Sequence, residues 1–511
     1  MALALGFGVA VSALPGPADA APRFARSIDV VAYQAKNQGA WFSVPLAQLS
    51  RTTRKAEATF AVSGSHIANR RGGRISPMLV SSYVFLQLGE VTPEAYAEHA
   101  RSAGALFIRS ALMSFVDYAG NRVLGWDRRS VSIPADVRGL IGAANARTAP
   151  VFLELNYSDH VPGPVGAGVE GLVRSDNLAA TIAYLRGLAD AGLGVTGVTF
   201  GDEWGDENGF GDLKPTVENS DLVGRFISWA QALKKAFPSL KIYAFDSELG
   251  TAEGAMDQYW APLARIHRAE VAAGLTLIDG FVFRESYVYI DHWGKRLSSQ
   301  RMLDDTESLH RSTPVYRYDT LGYTHGDPDL DSLHTLITKT RQILGRTIDI
   351  GITEYLPAGP YNISESDTSR YPDIDFLLHW ADVVGIYAEL GLDVVSSWML
   401  ATSTQQAEAY VDTAGNRGLS YPVREQLATS LKGTILRVTR SVAYEKLRVN
   451  VYAAKSGSRW FVMVLNKDVA HEHTVRITLP GQLDLVIRLP RRSFTSLSLD
   501  AEGLAVSGIG N

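Results

Sequence analysis

The sequence predicts an α/β fold, a (β/α)8 barrel with an additional all-β sandwich domain. Three observations carry this reading. Between residues 75 and 436, short β-branched, near-continuous apolar runs alternate with amphipathic helical patterns through about eight units. Parallel strands covered on both faces read this way, because helices pack outside them and side chains fill the inside. After residue 437 the pattern changes to alternating strands split by turn residues. The 511 residues leave room for both parts.

The units run in order. PMLVSSYVFL (77–86) reads as a strand and PEAYAEHARSAG (93–104) as its helix. ALFIRSAL (105–112) is a strand, and proline opens the helix at 134–146. VFLELNYS (151–158) precedes a long helix at 175–192 with Ser and Asp at its start and Gly at its end. Strands at 195–204, 240–247 and 277–286 alternate with helices at 219–237 and 257–274. A helix at 330–345 leads to IDIGITEY (348–355). The helix at 374–391 places Phe376, Leu377, Trp380, Val384 and Tyr387 on one face. DVVSSWML (393–400) is the last strand, and 422–436 the last helix. A doubly wound sheet is the weaker reading, since no glycine-rich phosphate loop follows the first strand. Residues 27–60 alternate like the C-terminal strands, and one β domain built from both chain ends would bury edges that neither end covers alone. The expected division is 1–20 signal peptide, 21–74 N-terminal β segment, 75–436 barrel and 437–511 sandwich.

Composition excludes several function classes. With 49 basic and 54 acidic residues the formal net charge is −5, which gives no electrostatic case for nucleic acid or an anionic membrane. There is no cysteine, so no disulfide scaffold, thiolate zinc site or cysteine nucleophile. After the N-terminus no stretch approaches the roughly 20 apolar residues of a membrane span. Residues 2–14 are apolar and uncharged, Pro15-Gly16-Pro17 breaks the run, and Ala18-Asp19-Ala20 supplies small residues at cleavage spacing. This is the pattern of a secretory signal cut before Ala21, although no Lys or Arg precedes it. A secreted or periplasmic protein is expected. No cofactor or metal is expected either. HGDPDLD (325–331) lacks the spacing of a calcium loop, and neither G-x-S-x-G nor H-E-x-x-H occurs. Oligomeric state leaves no mark on the sequence.

In a barrel of this kind the reactive residues stand at the C-terminal ends of strands. The fourth strand ends Thr199-Phe200-Gly201-Asp202-Glu203-Trp204, and the seventh ends Gly351-Ile352-Thr353-Glu354-Tyr355. Two carboxylates facing across a cleft are the equipment for glycosidic bond cleavage, one protonating the leaving oxygen and the other attacking the anomeric carbon. Like charges about 5 Å apart resist ionising together, which sorts them into acid and nucleophile. Glu203 is assigned as acid/base and Glu354 as nucleophile. Glu207 is the alternative acid if the strand runs further. Glu154 and Glu285 are read as structural.

GITEY at 351–355, ADVVGIYAELGLDVVSSWML at 381–400 and ISPMLVSSY at 75–83 resemble glycoside hydrolase family 44 over about residues 75–510. That resemblance implies a retaining, endo-acting β-1,4-glucanase or xyloglucanase on a barrel plus β-sandwich. It maps the family's acid/base onto Glu203 and its nucleophile onto Glu354. Two motifs depart from the family. Asp202 and Trp204 replace the Asn and Pro of its Asn-Glu-Pro motif, and Ser286-Tyr287 replaces its His-Tyr pair. An ionised Asp202 cannot donate to a sugar hydroxyl. Arg109, ending the second strand, matches a clan arginine that orients the nucleophile. Tyr287 is a candidate donor to Glu354, and Trp398 a candidate platform under the sugar. Tyr157 and Trp204 are further subsite candidates. The expected partner is a polysaccharide or oligosaccharide. An exo-acting or exopolysaccharide-processing β-glycosidase, and an inactive glycan-binding barrel, are the alternatives.

Overall fold

This computed structural model describes residues 28–29, 41–45, 48, 52–85, 104, 106–109, 115–117, 122–124, 130–132, 136–155, 160–162, 172–174, 177–200, 222–244, 257–286, 298–307, 333–356, 373–397, 401–402, 411–412, 416–417, 420–481 and 484–510. Eight strands close into a barrel: β1 (Val80–Phe85), β2 (Leu106–Arg109), β3 (Val151–Leu155), β4 (Gly197–Phe200), β5 (Lys241–Ala244), β6 (Gly280–Ser286), β7 (Asp349–Leu356) and β8 (Val394–Ser397). Each pairs in parallel with the next, and β8 returns to β1 through Val395↔Val80 and Ser396↔Ser81. That closure overturns the doubly wound alternative. α1 (Asp136–Asn145) follows β2, α2 (Asn177–Asp190) follows β3, α3 (Leu222–Ala236) follows β4 and α4 (Asp257–Ala273) follows β5. α5 (Ser299–Asp305) and α6 (Leu333–Leu344) follow β6, α7 (Asp373–Leu390) follows β7 and α8 (Ser420–Ser430) follows β8. The expected helix at 93–104 falls outside the described residues except for Gly104.

A ten-stranded sheet forms the second body. Its order is Ile28–Asp29, Asp484–Leu489, His473–Thr478, Ala58–His66, Thr434–Arg440, Val449–Ser456, Arg459–Asn466, Ser493–Leu499, Gly503–Gly510 and Phe42–Pro45. Both chain ends therefore enter one sheet. Ala58–His66 lies between Thr434–Arg440, antiparallel, and His473–Thr478, parallel. Period-2 alternation serves two cores at once. Val451, Ala453, Trp460, Val462 and Val464 join a cluster with residues from across this sheet. The intervening Tyr452, Ala454, Phe461, Met463 and Leu465 pack into the core shared with the barrel helices.

Two expectations change on contact with the structure. The last helix does not reach 436: α8 stops at Ser430, and Thr434–Arg440 is a strand. Gly433 separates them at φ +80°, and a Cβ there would lie 2.3 Å from the Lys455 carbonyl oxygen. Gly433→Ala is therefore strained in both backbone and contact. It is expected to lower stability by about 1–3 kcal/mol, read as a shifted denaturant midpoint at unchanged slope. The second correction concerns α7. Its one-faced pattern predicts an amphipathic helix, yet Ile374 to Ala388 are buried without interruption. The sheet covers the side that would otherwise face water, so the helix is enclosed.

Enclosure brings charge inside. Asp382 of α7 and Lys467 are both fully buried and pair at 2.6 Å. Lys467 Nζ also donates to Thr306 Oγ1 at 2.7 Å and to the Leu303 carbonyl at 3.0 Å. Asp382 accepts from Asn450 Nδ2 at 2.8 Å and Tyr452 OH at 2.6 Å, both on the strand Val449–Ser456. This network stitches the barrel's outer helices to the sheet. Asp375 of α7 adds a pair with Arg492 at 2.9 Å.

A second polar knot closes the sheet where Glu57 meets His473 at 3.0 Å. Asp468 sits behind it. Burial pushes its carboxyl up, but N–H groups of Ala470 and His471 and the rings of His471 and His473 hold it below its usual value. A native value under the unfolded one, about 3.9, means stability present above that pH and lost as pH falls through the native value. Asp468→Asn is expected to flatten the acid limb of a stability-versus-pH curve below about pH 4. An unchanged limb would contradict this.

Candidate active site

The barrel interior is plugged. Phe107 stacks on Phe152 at 4.8 Å, and Phe152 meets Tyr243 at 4.6 Å. Met78, Val282 and Val394 complete this inner cluster. The rings fit because glycines face them from the neighbouring strands. A Cβ at Gly197 would lie 2.5 Å from Phe152, and one at Gly280 would lie 2.5 Å from Tyr243. At the lower end Asp349 accepts from Tyr243 OH at 2.7 Å and Lys241 Nζ at 2.8 Å. Burial, then the Asp349 charge, push the Tyr243 phenol well up, so it stays a donor. Asp393, fully buried, pairs with both Arg70 and Arg71 and accepts from the Ile350 N–H at 2.9 Å.

The two faces of the barrel are unequal. Among the described elements, connections from a helix to the next strand run three to six residues, whereas those from a barrel strand to the next described helix run 12 to 26. Long connections over the C-terminal strand ends are where barrel enzymes carry their chemistry. Three of them hold described strands of their own, the one after β8 pairing Ala401–Thr402 with Val411–Asp412. The connection after β2 contains a three-stranded antiparallel sheet (Phe115–Asp117, Arg122–Leu124, Ser130–Ser132). The hairpin His160–Pro162 with Leu172–Arg174 follows β3 and packs beside it.

Glu354 belongs to β7. The register there is irregular: Ile352 pairs with Phe283, but Glu354 pairs with Arg284, the next residue of β6. Against β8, Ile352 pairs with Val395 and Tyr355 with Ser397. β7 thus carries one extra residue against both neighbours. Bulges of this kind recur at barrel rims beside active sites, where they re-aim the side chains beyond them. Arg109 ends β2, paired with Phe85 of β1. Glu203 and its neighbours Asp202 and Trp204 come after β4, which ends at Phe200. These three, with Tyr157, Tyr287, Trp398, Glu207 and the 325–331 loop, lie outside the described residues. So does the N-terminal segment 1–20. The backbone course sets β2, β4 and β7 to run toward one rim of one closed barrel.

Glu154, read from the sequence as structural, lies inside the barrel. It is buried on β3 in register with Thr199 of β4, two residues beyond the inward-facing Phe152. That parity places it on the interior row, one level nearer the rim. The signal was present in VFLEL: Phe152 and Glu154 share a face, and a carboxylate among apolar residues on a doubly covered strand belongs inside. Ser396 stands on the same interior side, above Val394, with its hydroxyl buried and without a partner among the described residues. No group of His, Asp or Glu suited to a metal occurs among the described residues. No described helix is long and apolar enough to cross a membrane.

No family model matches the chain, and no curated protein matches it. Solved structures do. A Paenibacillus polymyxa xyloglucanase of glycoside hydrolase family 44, solved with xyloglucan, superposes with a TM-score of 0.60 at 12% identity, covering 88% of this chain and 99% of that one. A family 44 endoglucanase from Clostridium thermocellum gives 0.58 at 15% identity over 89% and 100%. A family 51 α-L-arabinofuranosidase from Bifidobacterium longum gives 0.57 at 11% over 90% and 100%. The resemblance read from GITEY and its surroundings is thus matched in three dimensions: along nearly the whole of both chains, this fold is shared with solved structures of glycoside hydrolase family 44.

Proposed function

We propose that the chain is a retaining glycoside hydrolase that cleaves a β-linked polysaccharide, endo-acting on a β-1,4 backbone. The observation that carries this reading is Glu354 on the bulged seventh strand of a closed parallel barrel, with Glu203 three residues past the fourth strand. Glu354 attacks the anomeric carbon while Glu203 protonates the departing oxygen, giving a glycosyl-enzyme. Glu203 then deprotonates water, which displaces Glu354 with net retention. Arg109 keeps Glu354 ionised, and Tyr287 donates to it. Trp398 lies under the sugar at the cleaved bond, with Asp202, Trp204 and Tyr157 along the subsites. The architecture proposed with this function is a (β/α)8 barrel over 75–436 and a sandwich over 437–511, joined in the ten-stranded sheet by strands from the N-terminal segment. The N-terminal 20 residues direct export and are removed before Ala21.

The glycoside hydrolases that share the fold support the reaction class, and the xyloglucan-bound neighbour supports a β-glucan backbone. Hydrolysis of β-glucan, xyloglucan, xylan and mannan tests it. Reducing ends are expected from at least one polymer, with early loss of viscosity and a first product of β configuration by NMR. Monosaccharide release at nearly constant viscosity favours exo action. Binding without any reducing-end release favours the lapsed barrel that the Asp202 and Ser286 departures suggest.

A further inference from the structure

A groove of about 530 Å3 opens on the opposite face of the barrel from the proposed carboxylates. Its lining fixes the location. Pro77 leads into β1, Gly104 leads into β2, and Lys432 lies between α8 and the strand Thr434–Arg440. These are N-terminal strand ends, so the groove is separate from the rim that carries Glu354. Trp41 reaches the groove from the head of the sheet's edge strand Phe42–Pro45. The groove therefore lies where the barrel floor meets the sheet.

Its chemistry is specific. The half-buried Trp41 is the aromatic member of the lining. Around it stand the Glu425 carboxylate, the Thr429 hydroxyl and the Lys432 ammonium, from the last turns of α8 and the turn after it. Glu425 and Lys432 are exposed, and neither makes an ion pair among the described residues. One acid and one base leave no net charge to select an anion or a cation. They offer an acceptor and a donor beside a flat apolar ring, with a hydroxyl that serves as both. A hydroxyl-rich ring with one apolar face matches that set, and the volume falls within the range of small-ligand sites, about 300–1,000 Å3. Indole rings bury an apolar face while keeping a polar edge wet, the arrangement a saccharide needs.

We infer that this groove is a second, non-catalytic saccharide-binding site that holds another stretch of the polysaccharide cleaved at the rim. Its ligand class rests on the proposed function. Holding a long chain at two places raises its effective concentration at the cleft, whereas a short oligosaccharide cannot span both. The groove thus acts on polymer and not on fragments.

The test uses the full chain and the variants Trp41→Ala, Glu425→Ala and Lys432→Ala, each checked for an unchanged unfolding midpoint. Retardation in gels cast with xyloglucan, β-glucan, xylan or mannan reads binding, and kcat/KM on polymer and on a short oligosaccharide reads turnover. Trp41→Ala is expected to weaken polymer binding about tenfold, as loss of an aromatic anchor does, and to lower kcat/KM on polymer alone. Lys432→Ala, at an exposed position, is expected to act in the same direction without touching the fold. Unchanged retardation in folded Trp41→Ala and Lys432→Ala overturns the inference, and so does an equal loss on the short substrate. Trp41-dependent retardation in a chain that cleaves no polymer keeps the groove and removes the proposed hydrolase. Hydrolysis with Trp41-independent retardation does the reverse.

Discussion

Glu354→Gln is expected to abolish polysaccharide turnover while leaving the fold intact. The amide has nearly the shape of the carboxylate but cannot ionise, so no glycosyl-enzyme forms. Removing a covalent nucleophile costs at least about 10³-fold in kcat, with substrate binding retained because the remaining subsites are untouched. Circular dichroism and the unfolding midpoint are expected to match the parent. Glu203→Ala separates the two roles. It removes the proton donor, so polymer hydrolysis falls steeply, while glycosides with a good leaving group still form the intermediate and release a burst of that group. If Glu354→Gln retains more than a few per cent of parent activity, the nucleophile is elsewhere and the two-glutamate assignment fails. If Glu207→Gln, and not Glu203→Gln, removes protonation, the acid after the fourth strand lies four residues further along the chain.

The largest expected effect on stability belongs to Lys467. Its ammonium is fully buried between α5, α7 and the sheet, and it compensates the equally buried Asp382. Lys467→Ala leaves that carboxylate inside with the neutral donors Asn450, Tyr452 and Thr306, and without the cation at 2.6 Å. Breaking one half of a buried pair costs about 3–5 kcal/mol, since the surviving charge keeps its desolvation penalty. Chemical denaturation reads this as a lower midpoint. The double exchange Lys467→Met with Asp382→Leu removes both charges and is expected to recover most of the loss, because an apolar pair of similar volume does not leave a stranded ion. A loss below about 1 kcal/mol in Lys467→Ala would show that water or a rearranged partner reaches Asp382.

The barrel was legible because its strands are covered twice. VFLEL and KIYA carry apolar residues on both faces, and period and length alone then separate them from the helices between. The sharing of one sheet by both chain ends was legible in the alternation at residues 27–60 and after 437. The features that stayed hidden depend on neighbours distant along the chain. α7 reads as one-faced because Asp375, His379 and Asp382 look solvent-bound until the sheet lies over them. The stop of α8 at Ser430 depends on Lys455 closing on Gly433. The extra residue in β7 exists only relative to β6 and β8, and no single strand displays it. Of the proposed site, the two glutamates and Arg109 were legible as polar groups at the ends of apolar runs. The interior place of Glu154 was legible by parity, since it shares a face of VFLEL with Phe152.

The sheet's parentage also sets when the protein can become whole. Thr59 donates its amide to Ser441 across a separation of 382 residues, and the strand around it has no neighbours of its own from the first half of the chain. At about 5–20 residues per second, a ribosome takes roughly 20–80 s to supply that partner. Until then an apolar strand waits with both edges open, a hazard in a topology so rich in remote pairings. The nascent polypeptide is therefore committed to late, all-at-once consolidation, and chaperone escort of its leading segment becomes a demand of the topology.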